Sequence, residues 1–266
     1  MAPHRSYRTL ELEREGPVLR VWLNRPERLN AINNDVLREV GDLFQALDTD
    51  FETRVVVLGG RGRAFCAGFD RKPPDPGAAV PAHEPSDRER RWLSQLGRRA
   101  SRAIEECEVL TVARIHGHAV GGGAVFAAAC DFRIATRDAR IRVPEVALGI
   151  PLSWGATPRL IHEIGAARTR ELLLLCEDVD GVTAERWNLV HRAVEPDQLD
   201  AEVARVVEAL LERPELAVHM TKTQLRGYAR RDALGDATET DGDMVAVAFR
   251  SAESRSRFGM PDEPKG

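Results

Sequence analysis

The chain has 266 residues, and none of its apolar runs approaches the roughly 18 that a membrane-spanning helix needs. Its opening stretch, MAPHRSYRTLELEREG, holds no apolar signal core. Its four cysteines, Cys66, Cys107, Cys130 and Cys176, lie far apart without CxxC or other ligand spacing. That argues against a zinc site and points to a reduced interior. The charge is nearly balanced, with a net of −4. Nothing electrostatic therefore calls for nucleic acid or an anionic membrane as a partner. Basic clusters such as DRERRW and GRRASR are interleaved with acids and read as solvated helix faces. No Walker string GxxxxGK[ST] occurs, and neither GHAVGGG nor GGRGRAFCAG matches the dinucleotide fingerprint GxGxxG. His116 and His118 form an HxH pair without an evident third ligand, so no metal is expected. From these absences a soluble, cytoplasmic protein is expected.

What is present alternates strands with helices. YRTLELEREGPVLRVWLN reads as a hairpin around Gly16-Pro17. Asn33 or Asn34 can cap a helix in which Val36, Leu37, Val40, Leu43, Phe44 and Leu47 recur at helical spacing. RVVVLGG and VLTVARIHG read as buried strands. Arg71 to Pro85 is rich in proline, alanine and glycine and reads as a mobile loop. A helix is expected from about Asp87 to Glu106, with Trp92, Leu96, Ala103 and Ile104 apolar. GGAVFAAAC reads as a helix apolar nearly all round, hence central. DFRIATRDARIRVPEV reads as two short strands joined by a turn, and SWGATPRLIHEIGAARTRELLLLC as a helix pair. GVTAERWNLVHRAV reads as a helix leading into a strand. The rest is mostly helical. The fold class is α/β: a core over residues 1–198 and a C-terminal helical region over residues 199–266, with no linker between independent domains.

The glycine triplet Gly121 to Gly123 lies between a buried strand and an apolar helix. One reading is a close-packed turn where glycine lets two backbones touch. Another is chemical. The first-turn N–H groups of a helix have no intrahelical partner and carry positive potential, which suits an enolate or tetrahedral oxyanion. Catalysis usually wants two such donors, and the turn Ala67-Gly68-Phe69, after VVVLGGRGRAFC, is a candidate for the second.

Taken together, these segments resemble the crotonase (enoyl-CoA hydratase/isomerase) superfamily. The resemblance runs in order through LNRPERLNAIN (Leu23 to Asn33), RVVVLGGRGRAFCAGFD (Arg54 to Asp70), ARIHGHAVGGGAVFAAACDFRIAT (Ala113 to Thr136), RIRVPEVALGI (Arg140 to Ile150) and TPRLIHEIGAARTRELLL. It implies a crotonase-like spiral of ββα units whose C-terminal helices build a homotrimer or a dimer of trimers. It implies an acyl-CoA thioester substrate of the kind met in fatty acid metabolism. Coenzyme A is then part of the substrate, with no prosthetic group and no metal. By motif position, the N–H groups of Phe69 and Gly122 form the oxyanion hole. Arg28, Leu29, Ala67 and Asp70 fall at positions that resemble CoA contacts, and Lys72 fits a basic residue near the phosphates. For Arg28 and Lys72 an exposed surface cation is the competing reading.

The resemblance also places a catalytic glutamate at Glu145, where burial in an apolar pocket would raise the pKa toward neutrality. A surface glutamate at a strand end is the plainer alternative. Hydratases of the family carry a second glutamate two places after the third glycine, and here that position is Val125. A single base suffices to move a double bond, so isomerisation is favoured. The alternatives are a 2-enoyl-CoA hydratase with an atypical site and a non-catalytic acyl-CoA binder. Trp154 is expected to line the acyl pocket with Val125, and Ser153 is a polar candidate there. The segment from Glu145 to Arg159 contains no aspartate of the kind used in dehalogenation or dienoyl isomerisation. The family's usual terminal helix, which reaches a neighbouring subunit's CoA site, is replaced by SAESRSRFGMPDEPKG, with Phe258 as a substitute contact.

Overall fold

Leu10–Glu15 (β1) alternates apolar and charged residues and pairs antiparallel with Val18–Leu23 (β2) across the Gly16-Pro17 turn. This computed structural model describes residues 6–72, 84–231 and 241–260. The expected loop Arg71–Pro85 lies outside the described residues from 73 to 83. Asn33 caps the helix Asn34–Ala46 (α1), its side chain accepting from the Val36 N–H. Val55–Gly60 (β3) and Leu110–Ile115 (β4) are the buried strands, joined in parallel. Phe132–Thr136 (β6) and Arg192–Val194 (β9) extend them, giving one sheet in the order β1-β2-β3-β4-β6-β9.

Two-residue alternation loads both faces of this sheet. Val56, Leu58 and Ala113 face α1 and the helix Leu96–Glu106 (α3). Val55, Val57, Leu110 and Val112 face Leu199, Val203 and Val207 of the helix Leu199–Leu211 (α7). The helical region that begins at Leu199 therefore also closes the second face of the core sheet.

A second layer holds His118–Val120 (β5), Arg140–Arg142 (β7) and Val179–Asp180 (β8). After β3, β4 and β6 the chain turns out of the large sheet into this layer, at Cys66, β5 and β7 respectively. Cys66 and Ala119 join by a parallel bridge, and β5 pairs parallel with β7. This repeated step is the ββα spiral. It also explains why β6 and β7, adjacent in sequence, enter different sheets.

The expected helix Asp87–Glu106 is two helices. Asp87–Ser94 (α2) starts at a capping box of Ser86 and Glu89 and buries nothing, whereas α3 buries Leu96, Ala100, Ala103 and Ile104. The helix is interrupted at Gln95, which ends the first and starts the second. Trp92 is accordingly 42% exposed, with the Arg99 guanidinium 5.3 Å from its ring. Gly122–Ala129 (α4) is central, as its composition requires. Ala156–Arg170 (α5) breaks at Gly165 and passes into a π-helical turn, Glu171–Leu175. Gly181–Arg186 (α6) leads into β9. Glu215–Arg231 (α8), Asp241–Ala248 (α9) and Ala252–Phe258 (α10) follow. Among the described residues no helix is long and apolar enough to cross a membrane.

Candidate active site

Two turns out of the large sheet meet beside the glycine triplet. In the first, the Cys66 N–H donates to the His118 carbonyl and the Val120 N–H donates to the Cys66 carbonyl. The ladder then parts at Gly68, whose φ of +86° is open chiefly to glycine. Its carbonyl accepts from the Ile32 N–H, and the Asp70 N–H donates back to the Ile32 carbonyl. Strand alternation therefore points the Phe69 N–H away from Ile32. Gly68 lies against the second turn: a Cβ there would come 2.8 Å from the Val120 carbonyl oxygen.

The second turn passes through Gly121 (φ 51°, ψ −118°) into α4. A Cβ on Gly121 would fall 2.6 Å from Glu145 Oε1. Gly122 opens the helix, so its N–H has no intrahelical acceptor. Among the described residues, neither the Phe69 nor the Gly122 N–H donates to a protein acceptor.

Glu145 follows β7 through Val143-Pro144 and starts the 3-10 turn Val146–Leu148, whose Leu148 N–H donates to the Glu145 carbonyl. The residue as a whole is half-buried, but Oε2 is fully occluded and has no hydrogen-bond partner among the described residues. Burial pushes the carboxyl pKa up to about 7. Val125 is 3% exposed and belongs to the apolar core.

The residues expected around CoA form one patch. The Ala67 N–H donates to the Leu29 carbonyl (3.0 Å), and the Lys72 N–H to Asp70 Oδ1 (3.1 Å). The Asp70 carboxylate turns inward to Arg25 Nη2 (2.7 Å), with Arg28 Nη1 at 3.9 Å. Lys72 is exposed. Arg25, which sequence reasoning passed over, is 5% exposed and also donates to the Ala31 carbonyl. Nothing in the RPER string separates this structural cation from the neighbouring Arg28.

Ser153 is only half-buried. Trp154 packs its ring on Gly122, where a Cβ would come 2.4 Å from Cζ3. The C-terminal segment also reaches this site within the same chain. Phe258 lies 5.9 Å from Phe69, ring centre to ring centre. Arg71 Nε donates to the Phe258 carbonyl (3.2 Å), Ser254 Oγ to the Gly149 carbonyl (2.7 Å), and the Gly155 N–H to Asp241 Oδ2 (2.7 Å). No sequence signal tied Asp241 or Ser254 to positions about a hundred residues earlier.

Other reactive groups are accounted for structurally. The thiols of Cys66, Cys107 and Cys130 are pushed up to about 12 by burial, which removes them as nucleophiles. His116 Nε2 faces the Gly62 carbonyl (2.9 Å) and Nδ1 faces Arg114 (3.0 Å). This fixes a neutral ring that donates through Nε2, and desolvation lowers its pKa.

A family model described as enoyl-CoA hydratase/isomerase matches residues 13–261. The chain belongs to this family. It is 32% identical to a short-chain-enoyl-CoA hydratase of Clostridium acetobutylicum, over 95% of this chain and 90% of that one. It is equally 32% identical to a peroxisomal Delta(3,5)-Delta(2,4)-dienoyl-CoA isomerase of Arabidopsis thaliana, over 83% and 82%. The solved structure of an enoyl-CoA hydratase from Mycobacterium avium subsp. paratuberculosis superposes with a TM-score of 0.85 at 26% identity, covering 96% and 99%. The architecture is the crotonase fold, and the family's named members include both hydratases and isomerases.

Proposed function

We propose that this enoyl-CoA hydratase/isomerase moves the double bond of a 3-enoyl-CoA to the 2-position, with Glu145 as its single acid–base group. The observation that carries the reading is the Glu145 carboxyl. It is occluded, has no protein partner for Oε2, and is poised near neutrality beside Gly121. Near pH 7 both protonation states are populated, as a group that takes a proton and returns it requires.

The thioester oxygen lies between the Phe69 and Gly122 N–H groups. Glu145 removes a proton from C2, and the electron pair spreads over the dienolate onto that oxygen. The resulting carboxylic acid returns the proton to C4, leaving the double bond between C2 and C3. No water enters and no net proton is consumed. One oxyanion donor of this type is worth about 3 kcal/mol of barrier. Val125 supplies no carboxylate to share a water, so hydration loses its usual second group.

CoA runs along Arg28, Leu29 and Ala67, with Lys72 toward the phosphates. Asp70 acts there through its hold on Arg25 and Arg28. The chain assembles as a homotrimer or a dimer of trimers, a reading supported by Leu216, Met220 and Leu225 on α8, each more than half exposed.

Hydration is the second reading, favoured by the hydratase names among relatives. Supplying 3-enoyl-CoA and 2-enoyl-CoA side by side separates the two. Isomerase chemistry converts the first and leaves the second unhydrated, and efficient hydration of crotonyl-CoA would overturn it. Acyl-CoA binding without conversion across a mixed panel would identify a binder.

A further inference from the structure

Trp154 stands in an unusual backbone position for a bulky residue. Its φ is +63°, followed by Gly155 at +72°. Side chains rarely tolerate this region, so the surrounding structure must impose it. Two groups of contacts do so. The indole is pressed between glycines: a Cβ on Gly97 would come 1.8 Å from Cε2, and one on Gly122 2.4 Å from Cζ3. Phe126, itself fully buried, lies 5.9 Å away, ring centre to ring centre. From the far end of the chain, Asp241 Oδ2 accepts the Gly155 N–H at the start of α5. Asp241 is 9% exposed, and its helix is fixed by Asp243 to Arg91 (3.1 Å) and by Gly242 packed on Ser94 and Gln95.

On its other side Trp154 borders a groove of about 1050 Å³ between the core and α8. Its walls mix apolar groups, Phe132, Leu210 and Val218 among them, with charged ones, Arg98, Arg102 and Lys222 among them. Phe69, Gly122 and Glu145 do not line it. Trp154 therefore belongs both to the site, through Gly122, and to the wall of the groove.

We propose that Trp154 is the end wall of the acyl site, restricting the enzyme to short-chain thioesters, and that Asp241 is the positioning residue that holds the wall in place. This rests on the acyl-CoA reading above. The space that a long chain would need lies behind the indole, and it is large enough for a ligand of that size. The volume of the groove alone does not set the specificity; the partition does.

Calorimetry with butanoyl-CoA and dodecanoyl-CoA tests this on the full chain. Wild type is expected to bind butanoyl-CoA at least tenfold more tightly than dodecanoyl-CoA. Trp154→Gly removes the indole and suits the left-handed backbone. It should raise dodecanoyl-CoA affinity relative to butanoyl-CoA affinity tenfold or more. Trp154→Leu, which keeps an apolar plug and guards against loss of fold, should shift the ratio part of the way. Asp241→Ala should shift it likewise, while Asp241→Asn, whose amide oxygen still accepts the Gly155 N–H, should keep the wild-type ratio. A wild type indifferent to chain length, or an unchanged ratio in both Trp154 variants, would overturn the proposal while leaving the acyl-CoA reading intact. Failure of every form to bind either thioester would overturn both.

Discussion

Glu145 is a carboxyl group that burial makes reluctant to ionise, and the consequence can be measured without substrate. Its folded pKa of about 7 lies above its ordinary value of 4.5. Between those values the folded state binds the extra proton. Its contribution to stability is therefore full below pH 4.5 and is lost as pH rises through 7. Glu145→Gln removes the charge that must be desolvated. The variant should be more stable than wild type at pH 8, by up to about 3 kcal/mol, and similar to it near pH 4. Paired urea unfolding curves at the two pH values check this. Equal stability at pH 8 would mean that the carboxyl is well solvated. The same residue shows what sequence can carry. The Pro-Glu position and the resemblance singled out Glu145, but its occlusion depends on Gly121, which a different turn brings against it.

At the scale of elements, the local grammar of the chain was legible. Asn33 caps α1, β3 and β4 are buried runs, and the apolar GGAVFAAAC is the central helix. Less visible was where an element changes allegiance. At the break at Gln95, α2 buries nothing while α3 packs on the core, and Gly97, two residues on, weakens the helix there. The separation of β6 and β7 follows from the spiral rather than from their own residues. Asp70 was read through its motif as a CoA contact, and its carboxylate also closes on Arg25, a pairing the motif does not announce. Both side chains are under a tenth exposed, at 8% and 6%. Asp70→Asn would remove the carboxylate charge 2.7 Å from the buried Arg25 guanidinium, which should cost about 3 kcal/mol. The urea midpoint reads it, and an unchanged midpoint would show that Arg25 is satisfied without Asp70.

At the scale of the whole molecule, two distant parts of the chain converge on one site. The spiral brings the turn at Phe69, the start of α4 and the segment after β7 together. The C-terminal helices then close on it through Asp241, Ser254 and Phe258. None of these long-range contacts is written in a local pattern, which is why the site's walls were less legible than its chemistry. The faces left over include the exposed apolar positions of α8, and sedimentation should report a mass of three or six chains. A monomer at micromolar concentration would contradict that assembly.

The central claim is that one carboxylate carries one proton from C2 to C4 while two backbone N–H groups hold the enolate. But-3-enoyl-CoA dideuterated at C2 tests it most directly, with the product read by mass spectrometry and deuterium NMR. The account predicts crotonyl-CoA with deuterium at C4, diluted by whatever Glu145 exchanges with water between steps, and no conversion by Glu145→Gln. Accumulation of 3-hydroxybutanoyl-CoA from added crotonyl-CoA at a comparable rate, or unchanged turnover in Glu145→Gln, would contradict it.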